Sequence, residues 1–326
     1  MEINLSIPAI EKLLDYAASG IGSIAGPYLA PWKARQEAKS KLIAAEGDAN
    51  ILTLQAKAQA QARDMLISQD TNVTGELTIA SAVEQRIQFQ EQKRQINIKS
   101  VVQQAADQLG DKEVTDSEPD HDWTARFFNE VQDVSSEEMQ SLWAKVLAGE
   151  VQRPGSTSIR TLGILKNLDR NTAQLFRKFC SVCMFCTLDA NHILDARVPS
   201  LGGNAASNTL KSYDLDFSAL NRLNESGLII PDYNSWLDYT VLSINSNDEP
   251  QFDRLPMTFN FQDRRWMLIR DVQHGQKKDI KVHGVAMTLS AIELSKVIEL
   301  QPMENFSQAL SKYFRDQKLI MTEVTS

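Results

Sequence analysis

The sequence predicts a mainly α-helical protein with a smaller α+β part at its C-terminal end. An Ala- and Gln-rich stretch without proline covers 33–109, capped amphipathic helix patterns follow, and strand patterns come after residue 189. We expect five parts along the chain: a Gly-rich apolar N-terminal segment (1–32), a long helical arm (33–109), an acidic linker (110–122), a helical domain (123–188) and a winged-helix-like α+β domain (189–326).

The composition is that of a soluble globular protein, with 42% hydrophobic and 23% charged residues among 326. A net charge of −8 argues against non-specific nucleic-acid binding, because an acidic surface repels phosphate. The three cysteines lie in one cluster, which suits a reducing compartment. Glu2 precedes the first basic residue, Lys12, so a cleaved signal peptide is not expected. These features predict a cytoplasmic protein, with peripheral contact to the inner membrane as a further hypothesis.

The stretch from Tyr16 to Trp32, YAASGIGSIAGPYLAPW, has no charged residue and is rich in small residues. Gly22 and Gly26 have the spacing that lets helices approach closely in a bilayer, and aromatic residues favour its interface. Two interpretations are open: membrane contact, or a short hairpin that packs subunits of a soluble oligomer. The candidate contact residues in either case are Gly20, Gly22, Gly26, Pro27, Tyr28 and Trp32.

The arm is expected to contain two helices, at 33–69 and 77–109, because the TNVTG sequence around Gly75 interrupts the pattern. The apolar stripes are Ala-rich and too small to bury enough surface alone. Pairing with another copy of the chain or an antiparallel fold-back is therefore predicted. A solvated spacer is the alternative.

The helical domain shows three helix starts in succession. Ser135 and Glu138 form a capping box for the first helix, which Gly149 and Pro154 are expected to end. The second begins at Ser156, Thr157 or Ser158, and the third at Asp169 or Asn171.

The C-terminal part alternates helix and strand signals. Leu220 and Leu223 line a short helix that Gly227 ends, and Met257–Phe261 alternates like a strand. Trp266–Ile269 and Ile280–Val285 flank a polar HGQKKD turn and are expected to pair as a hairpin. Further along come a capping box at Ser290 and Glu293, a final helix through Phe306, Leu310 and Phe314, and the strand-like LIMTEV.

This order is that of a winged helix, although its helix offers only Arg222, beside Asp216 and Glu225, for contact with DNA. Protein partners are therefore favoured over nucleic acid.

Cys180, Cys183 and Cys186 have a C-x-x-C-x-x-C spacing, which occurs among iron–sulfur ligands. The surrounding FRKFCSVCMFCTL reads as one continuous apolar helix, which favours three buried core cysteines. The alternatives are a metal site completed by His192 and redox switching of the thiols. The chain has no recognisable catalytic motif and no cofactor fingerprint, so a protein without enzymatic activity or cofactor is expected.

A site for an anionic ligand is suggested by two groups of basic residues: Arg160 and Lys166 on the polar side of the second helix, and Arg264, Arg265 and Arg270 around the Trp266 strand. A solvated face with Asp263 and Asp271 as partners is the competing interpretation.

With these residues in view, the chain resembles a bacterial family known as domain of unknown function 2806. The resemblance is carried by DWTARFF (122–128), VSSEEMQSLWAKVLAGEV (134–151) and PGSTSIRTLGILKNL (154–168). It implies structural roles for Trp123, Trp143, Leu147, Gly149, Glu150, Pro154, Gly155 and Leu162, and it implies no activity or cofactor. The WAxxLAGE segment is also similar to one in abortive-infection proteins, which implies a role in phage defence.

The expected function is that of a non-enzymatic homo-oligomeric assembly protein, associated with a membrane through its N-terminal segment and acting as an effector in phage defence. Its partners are further copies of itself, a membrane surface and a protein. The alternative is a soluble adaptor or regulator that binds protein or nucleic acid through the winged-helix-like domain.

Overall fold

A computed structural model describes residues 7–21, 79–110, 112–187, 193–204, 207–232, 234–239, 257–270 and 280–324. The chain forms two compact units that divide between Val151 and Gln152. The described part of the first unit contains helices, and the second combines helices with an antiparallel sheet. The expectation of a helical protein with an α+β part is therefore confirmed.

The described part of the first unit contains helices α1 (Ile7–Ile21), α2 (Ile79–Leu109), α3 (His121–Val131) and α4 (Glu137–Gln152). Helix α2 covers the range in which the second arm helix is expected. The first expected arm helix, at 33–69, lies outside the described residues.

Aromatic rings form the core of the first unit. The Trp123 and Phe127 rings stack with their centroids 5.0 Å apart, and Trp143 meets Phe127 edge to face at 5.3 Å. The Tyr16 hydroxyl donates a hydrogen bond of 3.1 Å to the carbonyl oxygen of Glu150, which ties α1 to the end of α4. Aromatic pairs of this kind contribute about 0.5–1.5 kcal/mol each beyond the area they bury.

Helix α4 differs at both ends from the sequence prediction. It begins at Glu137 rather than directly after Ser135, and it continues through Gly149 to Gln152. Gly155, with a φ of +79°, lies in the turn that follows. Glycine ends a helix when it adopts this left-handed conformation, and here the glycine that does so is Gly155.

The second unit contains helices α5 (Ile159–Lys166), α6 (Arg170–Ser181), α7 (Phe217–Glu225), α8 (Leu289–Ser295) and α9 (Glu304–Asp316), with a short 3₁₀ helix at Thr209–Tyr213. Its strands are β1 (Met184–Thr187), β2 (Ile193–Pro199), β3 (Ile229–Ile230), β4 (Trp236–Asp238), β5 (Met257–Phe261), β6 (Arg264–Arg270), β7 (Lys281–Met287) and β8 (Leu319–Glu323).

The strands form one sheet of order β3-β7-β2-β1-β5-β6-β8, with β4 also paired to β7. The expected hairpin between Trp266–Ile269 and Ile280–Val285 is wrong. Strand β6 pairs with β5 and β8, whereas β7 pairs with β2, β3 and β4. The true hairpin turns at Gln262 and Asp263, both with positive φ, and this turn lacks the Asn-Gly signature that marks such hairpins in a sequence.

Side-chain caps begin most helices of the second unit. Ser158 caps α5 and Asp169 caps α6, each among the predicted choices, and Gly227 follows α7 with a φ of +73°. The capping box at Ser290 and Glu293 is wrong, because Thr288 caps α8. The Glu293 carboxylate instead accepts hydrogen bonds at the start of α5, from the Ser158 amide at 2.7 Å and the Thr161 hydroxyl at 2.6 Å.

The contacts of α5 and α6 explain why the second unit starts at Gln152 rather than near residue 189. Helix α5 packs against α8, and α6 packs against α7. Helices α5 and α6 come before β1 in the sequence, whereas their partners α8 and α7 come after it. The two helices therefore belong to the same unit as the sheet.

Candidate functional site

The N-terminal candidate residues are described only in part. Gly20 lies on α1, where an added Cβ would be 2.1 Å from Phe128 Cδ2 and 2.9 Å from the Thr124 carbonyl oxygen. Glycine at this position therefore permits close packing between α1 and α3. Gly22, Gly26, Pro27, Tyr28 and Trp32 lie outside the described residues. Within the described ranges, no helix is both long and apolar enough to span a membrane.

Most residues of the family motifs belong to cores. Trp123, Trp143, Leu147 and Glu150 are buried in the first unit, and Leu162 is buried in the second. Pro154 and Gly155 lie in the turn between α4 and α5. These positions specify packing, and none of them lines the cavity described below.

The cysteine triplet is buried, but it does not lie on one continuous helix as the sequence suggested. Helix α6 ends at Ser181, Cys183 follows the turn, and Cys186 lies in β1. Strand pairing of β1 with β2 and β5 outweighs the helical pattern of this apolar run. All three thiols are fully buried, and burial raises the pKa of each, that of Cys186 to about 12. They are therefore neutral near pH 7 and poor nucleophiles.

A buried ion pair lies beside these thiols. Cys186 is opposite Asp195 in the sheet, and Arg197 Nε donates to Asp195 Oδ2 at 2.6 Å. The Tyr239 hydroxyl also donates to Asp195. This satisfied network has a structural role. No group of three or more His, Cys, Asp or Glu suited to a metal ion occurs among the described residues, and His192 lies outside them.

Of the five basic residues that suggested an anion site, the structure brings Arg264 and Arg265 together, whereas Arg160 and Lys166 do not join them. Arg264 and Arg265 line an open cavity of about 570 Å³, to which Arg153 and Lys296 also contribute. The side chain of Arg270 lies outside the described residues. Sequence reasoning missed Arg153 and Lys296, which come from the turn after α4 and the residue after α8, because no spacing rule links such distant positions. We call this site the basic cavity.

Among the described residues of the first unit, exposed apolar side chains lie on α2. Ile79, Val83 and Ile87 are 85%, 40% and 56% exposed. Eighteen residues make about five turns of α-helix, so Val83 lies in line with Val101, and Ile87 with Ala105. Val101 and Ala105 are fully buried. The face that is buried near the end of α2 thus continues, uncovered by described residues, toward its start. We call Ile79, Val83 and Ile87 the α2 stripe.

The family described as "Protein of unknown function (DUF2806)" matches residues 82–311, which is more than two thirds of the chain and includes parts of both units. The chain belongs to this family, and the predicted membership is confirmed. No curated protein and no solved structure matches it.

Proposed function

We propose that the chain is a non-enzymatic protein that assembles with further copies of itself through the α2 stripe. The α2 stripe carries this proposal, because apolar residues in line with a buried face are a surface suited to another helix. The exposed stripe ends where the loop after α3 covers α2. Arg94 Nε donates to Asp133 Oδ1 there at 2.9 Å, and Asn97 donates to the Gln132 carbonyl at 2.7 Å.

The charges beside the α2 stripe favour a parallel second copy. Glu84 and Glu91 flank it on one side, and Arg86 and Lys93 flank it on the other. In a parallel coiled coil with Ile87 at position a, Arg86 occupies g and faces Glu91 of the other copy at e. An antiparallel pair would bring acidic flank against acidic flank.

Sedimentation velocity of the full chain tests this proposal. Ile87→Asp should weaken self-association about tenfold or more, because it places a charge in the seam. Phe89→Asp is the matched control, since Phe89 is 60% exposed on the same helix but on its opposite side. A wild-type chain that is monomeric at about 100 μM, where such a dimer should form, would refute the proposal.

Charge exchange tests the orientation. Arg86→Glu and Glu91→Arg should each weaken association, because each places like charges together at the seam. The double variant should restore association, since it re-forms the pair with the signs exchanged. Restoration requires two chains, because residues five apart on one helix do not face each other. A double variant weaker than both single variants would contradict parallel pairing.

Membrane association and a role in phage defence belong to this proposal as its effector step. They are supported by the charge-free stretch from Tyr16 to Trp32 and by the resemblance to abortive-infection proteins. Removing residues 1–32 would also delete the buried Tyr16 and Ala17, so point substitutions are the cleaner test. Tyr28→Asp with Trp32→Asp should abolish flotation of the chain with anionic liposomes and any protection of bacterial cells from phage. If the wild-type chain does not float with liposomes, the membrane step of the proposal is wrong.

The second candidate function is that of an adaptor or regulator acting through the second unit, with the winged-helix-like arrangement as its finer form. The basic cavity is the observation that favours it. Salt-sensitive DNA binding lost in Arg222→Glu or Arg264→Glu would support the nucleic-acid version of this candidate, whereas DNA binding unaffected by salt would exclude it.

A further inference from the structure

The basic cavity has the size and the charge of a binding site for a small anion. Its volume of about 570 Å³ is in the range typical of small-molecule sites. Four cationic side chains line it, against the single carboxylate of Asp263 among its described lining residues. The chain as a whole has a net charge of −8, so this concentration of positive charge runs against the overall balance.

Arg264 and Arg265 make weak side-chain contacts with their partners among the described residues. Arg264 Nη1 lies 3.4 Å from Glu323 Oε2, with the two side chains 58% and 41% exposed. Arg265 Nη2 donates to the Thr258 hydroxyl at 3.4 Å. An exposed ion pair contributes about 0–1 kcal/mol, so an incoming anion can replace Glu323 at little cost.

Apolar side chains line part of the basic cavity, and we call this part its apolar floor. It is formed by side chains from β1, the start of β2, the end of β5 and the stretch after α8: Phe185, Ile193, Phe261, Ile298 and Leu300. Phe185 is 8% exposed and Phe261 is fully buried, so the apolar contact open to a ligand comes from the partly exposed Ile193, Ile298 and Leu300. A ligand with an apolar or aromatic body would find contact here that a free inorganic ion cannot use.

The hairpin that carries Arg264 and Arg265 is fixed in place. Gln262 and Asp263 form its turn with φ values of +53° and +58°. The Gln262 side chain is buried, donates to the Met303 carbonyl at 3.3 Å and accepts from the Ser307 hydroxyl at 3.0 Å. The turn is thereby tied to the start of α9, which pre-organises the arginine backbone and lowers the entropic cost of binding.

We propose that the basic cavity binds a small organic phosphate with an apolar or aromatic body, of the class of nucleoside monophosphates. Guanidinium groups match phosphate oxygens in geometry. A phosphate dianion also makes fuller use of several cations than a ligand with a single carboxylate would. The net charge of −8 disfavours a long polynucleotide, whose phosphates extend beyond one cavity.

Isothermal titration of the full chain tests the proposal with three probes: AMP, inorganic phosphate and adenosine. AMP should bind about tenfold more tightly than phosphate, because it uses both the cations and the apolar floor, and adenosine should not saturate at about 1 mM. Arg265→Glu and Lys296→Glu should each weaken AMP binding about tenfold or more. Arg160→Glu is the control, because Arg160 is an exposed arginine on α5 that does not line the basic cavity.

Three results would overturn the proposal. The first is the absence of AMP binding at about 1 mM, since a site built for this class should reach at least that affinity. The second is equal affinity for AMP and inorganic phosphate, which would remove the apolar floor from recognition. The third is a loss in Arg160→Glu as large as that in Arg265→Glu. Circular dichroism of each variant and the milder substitution Arg265→Gln serve as controls for misfolding as the cause of lost binding. The oligomeric state of each variant is measured separately.

Discussion

At the residue scale, Glu293 shows how one carboxylate can connect two helices that lie far apart in sequence. It accepts from the Ser158 amide and the Thr161 hydroxyl, and Thr161 is fully buried. These two hydrogen bonds place the carboxylate at the first turn of α5, where the helix dipole also favours negative charge. The family motif that contains PGSTSIRT is therefore completed by a side chain from α8.

We expect Glu293→Ala to lower the free energy of unfolding by about 1.5–3 kcal/mol, because hydrogen bonds to a charged group are lost and a buried hydroxyl loses an acceptor. Glu293→Gln keeps an acceptor oxygen and should cost less. Urea denaturation measures both. Glu225→Ala, at an exposed position at the end of α7, is the control and should change stability by no more than about 0.5 kcal/mol. Equal effects of Glu293→Ala and Glu225→Ala would show that the cross-helix cap contributes nothing.

At the element scale, the packing of α1 against α3 depends on Gly20. Gly20→Ala should destabilise the first unit by about 1–3 kcal/mol, because the added methyl group overlaps the Phe128 ring and the Thr124 carbonyl. Amide hydrogen exchange across α1 and thermal unfolding measure the effect.

Gly163→Ala is the matched control for this substitution, since it lies in α5 with no described atom within 4 Å of the added Cβ. It should stabilise by about 0.5–1 kcal/mol, as alanine is the better helix former. If Gly20→Ala leaves amide hydrogen exchange across α1 unchanged, the packing of α1 against α3 does not depend on a glycine at this position.

At the scale of the whole molecule, the buried thiols make stability depend on alkaline pH. In the unfolded chain a cysteine ionises near pH 8.5, whereas burial raises the pKa of Cys180, Cys183 and Cys186 in the folded state. The unfolded state therefore loses protons first, and stability that is full below about pH 8.5 falls as pH rises, by up to about 1.4 kcal/mol per pH unit for each thiol. Guanidinium unfolding between pH 7.5 and 10 measures the slope.

Replacing all three cysteines by alanine is the control for this pH dependence. The variant should be less stable at every pH, but its free energy of unfolding should fall less steeply as the pH rises. The difference in slope is the contribution of the thiols, and the slope that remains includes that of the buried tyrosines. Thiol reagents should modify the native wild-type chain slowly at pH 8 and all three cysteines after unfolding. Rapid native modification would contradict the burial of these side chains.

The sequence by itself determined the features that depend on neighbours within a few residues. Ser158 and Asp169 cap their helices, Gly227 takes the left-handed position, and Met257–Phe261 forms a strand, because each signal lies within one turn or one strand. Family membership also follows from the local motifs, since these carry the core of both units.

Only the tertiary structure decided which strands pair, which groups donate hydrogen bonds to Glu293, and that Cys186 lies in a strand. It also placed Arg153 and Lys296 beside Arg264 and Arg265. These features depend on contacts between residues far apart in the chain, and no spacing within one segment encodes them. The physical reason is that local hydrogen bonds and dihedral preferences act over a few residues, whereas pairing and burial are settled when the whole unit closes.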